Sequence, residues 1–407
     1  MNEASKMNRS RITTGFQRLK SYCETENFAG WDPYDGLNSR LFQATPLKHW
    51  DLARLAWIQG FKRCPVNFRK LLLVPKEHNA KGIGLFLTGY CNILKAQQVS
   101  GQETFGRHEE ILETITYLAN LLVALQSTGY SGACWGYNFD WQARRLFLFP
   151  KGTPTVVATA FCATALLDAY GVAGSQAWLE TALSSVRFVL NDLRRTPKKR
   201  GLLFSYSPLE GNNTVYNASL LGSRLLSLCY GHSGIDAERD AALESALASV
   251  DAQRPDGSWL YGELPVQNWI DSFHTGYNLD ALQAVQEVAD EPWLGAAIEK
   301  GFEFYIRNFF LPDGTPKYYH NRIWPIDIHC PAQLFPTLSR LGRFQEQREL
   351  AGKVMLWTIE NMQDPQGYFY YQLKKRFSSK IPYMRWSNAF MFYAMSFYLL
   401  EVSKDQS

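Results

Sequence analysis

The chain of 407 residues carries 42 basic and 38 acidic residues for a formal net charge of +4, with 46% hydrophobic and 14% aromatic content. That is enough apolar chain for a large core, and basic residues spread along the sequence argue against a dedicated nucleic-acid surface. Seven cysteines lie far apart with no CxxC pair, which points to a reducing compartment without disulfides or structural zinc, and no cofactor or metal is expected.

The first twenty residues, MNEASKMNRSRITTGFQRLK, lack the apolar core of a signal peptide, and no later stretch approaches eighteen uninterrupted apolar residues. The expectation is a cytoplasmic protein with no integral membrane segment. Next comes GWDPYDGLNS, residues 30–39, in which Pro33 fixes its own φ and biases Asp32 away from the helical region, while Gly36 can supply a positive φ. It reads as a loop, either a capping turn or a pair of carboxylates displayed at a site. Asp35 is expected to turn inward as a catalytic carboxylate. Asp32 is expected to accept the N–H bonds of the Asp-Pro turn, and with Trp31 it is assigned to substrate binding. HWDLARLAWIQGFKRC, residues 49–64, reads as an amphipathic helix. Residues 1–48 are taken as an N-terminal segment with a rim loop and 49–403 as one domain.

From Gly82 onward, helical patterns come in pairs. The first of each pair begins near Gly82, Thr153, Thr214, Asp271, Asp327 and Met384, and from the second onward the starts are about 56 to 61 residues apart. After each second helix comes a glycine and an aromatic-rich extended stretch: GACWGYNFDW, GLLFSYSP, PDGSWLYGE, PDGTPKYYH and PQGYFYYQ. First helices are rich in small and apolar residues, and second helices carry more charge. This is the pattern of concentric inner and outer helices, so the fold expected is all-α, an (α/α)6 toroid of six helical hairpins with short β-strands on one rim. The sixth hairpin lacks a second helix, and residues 49–64 are expected to supply it.

In such a ring the loops leading into the inner helices converge on one face: YNFDWQARRL, PLEGNNTVYN, QNWIDSFHTGY, RIWPIDIHC and IPYMRWSN. Two share a register, Trp269 with His274 and Trp324 with His329, each W-x4-H and 55 residues apart, with Asp271 and Asp327 beside them. Inner-helix N-termini favour a ligand with carboxylates, phosphates or many hydroxyls, and Arg144, Arg322 and Arg385 can add anion contacts. Loop aromatics including Trp31, Trp135, Trp269, Trp324, Trp386 and Tyr319 suit stacking on sugar rings. Hydrolysis of a glycosidic bond requires a protonated carboxyl and a second carboxylate, for which Asp32, Asp35, Asp140, Glu263, Asp271 and Asp327 are candidates. β-Elimination requires a base, an acid and a uronate neutraliser, which His274, Tyr277, His320, Tyr319 and Arg385 can provide. The catalytic candidates are therefore Asp35, Asp140, Asp271, His274, Asp327 and His329. Those for substrate binding are Trp31, Asp32, Trp135, Trp269, Tyr277, Tyr319, His320, Arg322, Trp324, Arg385 and Trp386.

WDPYDGLNS, TPTVVATAF, PDGSWLYGE, WIDSFHTGYNLDAL, DGTPKYYHNRIWPIDIH, GYFYYQ and IPYMRW together resemble a family of bacterial proteins found in cell-surface polysaccharide biosynthesis clusters, from about Trp31 to Leu400. That family is similar in architecture to six-hairpin glycosidases, unsaturated glucuronyl hydrolases and N-acylglucosamine epimerases. The resemblance implies an oligo- or polysaccharide substrate that is anionic or lipid-linked, and glycosyltransferases of the same pathway as partners. Hydrolysis is the leading expectation, with a uronate lyase, a sugar epimerase or a noncatalytic glycan-binding scaffold as alternatives. The DxDD motif of terpene cyclases, which share the toroid, is absent.

Overall fold

The computed structural model describes residues 3–142 and 148–406. Six helices, α4 (Ala80–Ser100), α6 (Val156–Ala173), α8 (Tyr216–Ser233), α10 (Ser272–Ala289), α12 (His329–Arg340) and α14 (Phe390–Ser403), form a closed inner ring. Each packs on the next, and α14 packs back on α4. They are buried almost all round, which is why their sequences lack a polar face. Local chemistry sets their ends. The side chains of Asn79, Thr155 and Asp271 accept N–H bonds in the first turns of α4, α6 and α10. Gly101, Gly174 and Gly234 end α4, α6 and α8 in the left-handed region. By length and composition, α6 alone among the described helices is apolar enough to cross a membrane, but it forms part of this inner wall and is mostly buried.

Five outer helices follow their inner partners: α5 (His108–Ala124), α7 (Gln176–Arg187), α9 (Asp236–Asp251), α11 (Pro292–Phe309) and α13 (Arg348–Met362). The sixth outer position departs from the expectation. It is filled by α1 (Glu3–Thr25), which packs on α13 and α14 and places Ile12, Phe16, Leu19 and Cys23 in the main core. Those four residues make a narrow stripe at 4, 3 and 4 residue spacing in an otherwise polar segment, enough for one buried face. Helix α3 (Asp51–Arg63), expected there, lies on the rim instead. Its Ile58 packs with Leu37 and Phe42 in a separate small cluster, with Tyr34, Trp57 and Trp141 against it.

The recurring glycine has a structural cause that also proves the ring order. A Cβ on Gly132, Gly201, Gly257 or Gly314 would lie 1.9 to 2.6 Å from a backbone carbonyl atom of the next outer helix, at Ser184, Glu244, Lys300 and Lys353. Gly367, at φ +102°, meets the Arg18 carbonyl oxygen of α1 at 2.3 Å in the same way. Only a residue without a side chain lets each rim turn rest on its neighbour. Gly367→Ala is therefore expected to cost about 1 to 3 kcal/mol, whereas Gly295→Ala, with open space around the added methyl, should be neutral or stabilising. Paired denaturant titrations check this.

Short antiparallel strands line the rim. They are β1 (Trp141–Gln142) with β2 (Leu148–Phe149), β3 (Arg195–Pro197) with β4 (Leu202–Phe204), and β5 (Ile326–Asp327) with β6 (Gln372–Leu373) and β7 (Ser378–Ser379). The segment 30–74 runs over the same rim. Tyr34 reaches from it to the Trp386 ring at 5.6 Å between centroids, and Lys62 of α3 donates to the Tyr34 hydroxyl at 2.5 Å.

Candidate active site

The two W-x4-H loops open inner helices that neighbour each other in the ring, which sets their histidines on either side of Tyr277, His274 at 5.8 Å between ring centres and His329 Nε2 at 3.5 Å from the hydroxyl. His274 occupies the first turn of α10. Its Nδ1 lies 2.7 Å from Asp271 Oδ2, and Asp271 Oδ1 accepts the His274 backbone N–H at 3.0 Å. The Trp269 indole donates to Asp271 Oδ2 at 2.8 Å and stacks on Tyr261. Asp271 is buried, while the His274 side chain keeps 20% of its exposure. A buried carboxylate holding a half-open imidazole in one orientation is an arrangement suited to proton transfer.

His329 is buried at the start of α12. Its ring lies against Phe390, Phe273 and Trp386, its Nε2 is 3.5 Å from the Tyr277 hydroxyl, and its Nδ1 has no hydrogen-bond partner among the described residues. Burial, reinforced by Lys81 and Arg385, lowers its pKa well below the ordinary histidine value, so the imidazole is neutral. The two loops are not equivalent in detail. Asp327 stands two residues before its histidine rather than three, and it caps the His329 N–H at 3.1 Å without touching the ring. Its indole partner is Trp386 at 2.9 Å, and Gln372 donates to its other oxygen at 3.1 Å. Trp324 is exposed on the rim and does not take that place.

Burial pushes the Asp327 carboxyl up to about 6 against these donors. The folded value exceeds the unfolded one, so the folded state retains this proton between about pH 4 and 6 when the unfolded chain has lost it. Stability from this group is full below about pH 4 and is lost as pH rises through about 6, by on the order of 3 kcal/mol in total. Asparagine fits the site: its oxygen can accept from Trp386 and the His329 N–H, and its amide can face a rotated Gln372. Relative to wild type, Asp327→Asn should therefore gain stability between pH 4 and pH 8, as measured by urea unfolding at both.

The aspartates of the 30–39 loop depart from expectation in part: Asp32 accepts the Tyr34 N–H of the Asp-Pro turn at 3.1 Å, as expected, but Asp35 does not turn inward. Asp32 is the one that reaches inward: Arg385, in the turn leading into α14, donates to its two oxygens at 2.6 and 2.9 Å, both side chains being buried. Asp35 holds the turn, accepting the Asp32 backbone N–H at 2.8 Å and the Arg69 Nε at 2.7 Å. The reason lies in two cations distant in sequence, one on each side of the loop. Burial opposes the Arg385 charge, but Asp32 outweighs it and holds the guanidinium above its ordinary range. Asp32 and Arg385 border a cavity of about 10 Å³ with Trp31, Glu77, Asn79 and Asn138, room for about one water. The Trp31 indole itself donates to the Val74 carbonyl at 3.0 Å.

Other expected residues are placed elsewhere. Trp135 is sealed in the core with its indole donating to the Leu122 carbonyl at 2.8 Å, as Trp259 does to Ser249, so it cannot stack on a ligand. Asp140 accepts the Lys151 N–H and closes a hairpin. Glu263 is paired with Lys198. His320 is half-buried, with Nδ1 3.5 Å from the Ile270 carbonyl. Arg322 lies over the Tyr319 ring on the exposed rim. Arg144 lies outside the described residues.

Lys81, in the first turn of α4, escaped the sequence reading. It is buried, its ammonium lies 4.2, 4.9 and 5.4 Å from the Phe161, Phe390 and Tyr277 ring centres, and among the described residues it makes no ion pair or hydrogen bond. Burial, with Arg385 nearby, lowers its pKa well below the ordinary lysine value. Its signal was present in AKGIGLFLTGY, a lone lysine in an apolar inner helix. Three chemically active groups, His274, His329 and Lys81, thus surround Tyr277. No cluster of metal-ligating side chains occurs among the described residues.

No protein-family model and no curated protein matches this chain. Solved structures do. A GH76 alpha-mannanase from Bacteroides thetaiotaomicron is similar over 81% of this chain and 87% of its own, with a TM-score of 0.60 and 11% identity. A sugar epimerase from a ruminal bacterium is similar over 82% and 90%, with a TM-score of 0.58 and 13% identity. An unsaturated glucuronyl hydrolase mutant from Streptococcus agalactiae is similar over 98% and 91%, with a TM-score of 0.54 and 12% identity. At these identities the likeness defines the fold: the chain is an (α/α)6 toroid.

Proposed function

We propose that this protein is a carbohydrate-active enzyme that isomerises or epimerises a reducing sugar through its imidazole pair. His274, oriented by Asp271, takes the proton from the carbon beside the sugar carbonyl. The electron pair moves into the carbon–carbon bond, and the carbonyl oxygen receives a proton from Tyr277 or His329. Return of a proton to the same carbon gives the epimer and to the former carbonyl carbon the isomer, while the enediol hydroxyl that becomes the new carbonyl gives its proton back to the group that protonated the oxygen. The observation that carries this reading is the Asp271–His274 dyad beside a neutral, buried His329, while Asp32 and Asp35 are each committed to an arginine. The sugar epimerase among the similar structures supports it by fold.

Hydrolysis remains a second reading because Asp327, with its carboxyl near 6, is suited to act as a general acid. We propose the setting that the sequence resemblance implies, bacterial surface polysaccharide biosynthesis in the cytoplasm beside glycosyltransferases, with an anionic reducing sugar as substrate for isomerisation and an anionic or lipid-linked glycan for hydrolysis. Seven free cysteines, six of them buried, agree with a reducing compartment.

The test is incubation with reducing hexoses, N-acylhexosamines, uronates and oligosaccharides, followed by proton NMR of the anomeric region. New anomeric signals at constant total reducing ends support isomerisation or epimerisation. A rise in reducing ends that Asp327→Asn abolishes supports hydrolysis. Saturable binding without turnover supports the glycan-binding scaffold.

A further inference from the structure

The chain's charge is less evenly spread than its total suggests. Residues 40–76 hold eight lysines and arginines against the single acid Asp51, a net +7 in a chain of +4. The same segment holds half of the large apolar side chains exposed among the described residues. Leu71 is 71% exposed, Leu52 69%, Trp50 64% and Leu73 50%. Helix α3 explains part of this. Its inward side carries Trp57 and Ile58, and its outward side carries Leu52, Ala56 and Gly60 between the terminal Asp51 and Arg63, where a solvated face would show polar residues throughout. The turn after it, RKLLLVPK, holds Leu71 and Leu73 out between Lys70 and Lys76, with Leu73 at φ +53°, a conformation a branched apolar residue rarely adopts.

A second element adds to the same face. The β6–β7 turn, KKRF at residues 374–377, exposes Phe377 at 49%, and the Lys374 pKa is lowered by partial burial and then by the nearby charges of Arg63 and Lys62. Some of these cations are already matched: Arg54 to Asp51, Arg69 to Asp35 and Lys76 to Glu26. Among the described residues Arg40, Lys48, Arg63, Lys70, Lys375 and Arg376 have no carboxylate partner, so the face is strongly positive as well as apolar.

We infer that residues 40–76 and the 374–377 turn dock this protein on an anionic lipid bilayer, with Trp50, Leu52, Leu71, Leu73 and Phe377 entering the headgroup boundary and the unpaired lysines and arginines meeting lipid phosphates. Exposed aliphatic tips ringed by cations match an interface that is apolar below and negative above. A second copy of this chain would bring the same positive charges together, and on this face exposed leucines outnumber the aromatic rings on which nucleic-acid bases would stack. The face lies over the toroid's mouth through the Tyr34–Lys62 and Tyr34–Trp386 contacts, so docking would hold the mouth at the membrane. This goes beyond the proposed reaction and does not depend on it.

The test is co-sedimentation of the full chain with vesicles of phosphatidylcholine alone and with 30% phosphatidylglycerol, at low and high salt. Leu71→Ser/Leu73→Ser and Lys70→Glu/Lys375→Glu/Arg376→Glu change only exposed residues and are compared by circular dichroism and unfolding midpoint. Binding to the anionic vesicles alone, weakened at least tenfold by each variant and by 0.5 M salt, is expected. Absence of vesicle binding overturns the inference, as does binding that neither variant changes. A wild-type dimer that Leu71→Ser/Leu73→Ser converts to monomer, without vesicle binding, overturns it in favour of self-association.

Discussion

Arg385→Met is expected to destabilise the protein by about 3 to 5 kcal/mol, because it strips the guanidinium bonded to both oxygens of an Asp32 carboxylate that is 3% exposed and, among the described residues, otherwise accepts the Tyr34 N–H. The cost is that of a charge left buried without its partner, and it exceeds the net worth of the pair. Asp32→Asn combined with Arg385→Met should therefore lose less than the sum of the two single changes, since removing both charges relieves the desolvation each imposes. Urea unfolding of the two single variants and the double variant measures the coupling. A loss within about 1 kcal/mol for Arg385→Met, the size of an exposed pair, would mean that water reaches Asp32 and that the loop 30–39 is not locked onto α14.

The second large effect is chemical. His274→Gln should lower turnover by on the order of 10² to 10⁴, with little loss of stability because the side chain is half-open and its capping partner Asp271 remains. Asp271→Asn keeps a side-chain oxygen for the cap but removes the charge that orients the imidazole. It should therefore lower turnover less than His274→Gln while leaving α10 folded. Loss of folding in both variants together, measured by circular dichroism, would reduce the dyad to a helix cap.

The repeat was legible because each inner helix is buried all round and each outer helix is followed by a glycine that must touch the next. Both facts leave marks at a fixed period. The sixth outer helix was not legible: α1 signals its buried face with four residues only, and its partners α13 and α14 lie more than 320 residues away in sequence. Helix α3 misled because its apolar pattern is real but serves the rim and an exposed face. The W-x4-H register falls on the loops of two inner helices that are neighbours in the ring, yet a one-residue difference in aspartate spacing leaves only Asp271 bonded to its imidazole, while Asp327 bonds an indole from elsewhere. That consequence depends on Trp386, from a third loop. The Asp32 and Asp35 roles depended on Arg385 and Arg69, which no local pattern connects to residues 30–39. Trp135 shows the limit of aromatic content as a signal, since a ring after a rim glycine can face the core as readily as a ligand.

The proposed reaction rests on one event, removal of a proton from carbon by an imidazole. The measurement is carried out in deuterium oxide, with mass spectrometry and proton NMR on the recovered sugar. Carbon-bound deuterium at the position beside the carbonyl, appearing with wild-type protein and reduced at least a hundredfold with His274→Gln, is the result expected. Turnover that generates new reducing ends with no deuterium on carbon would contradict the imidazole mechanism and transfer the chemistry to Asp327.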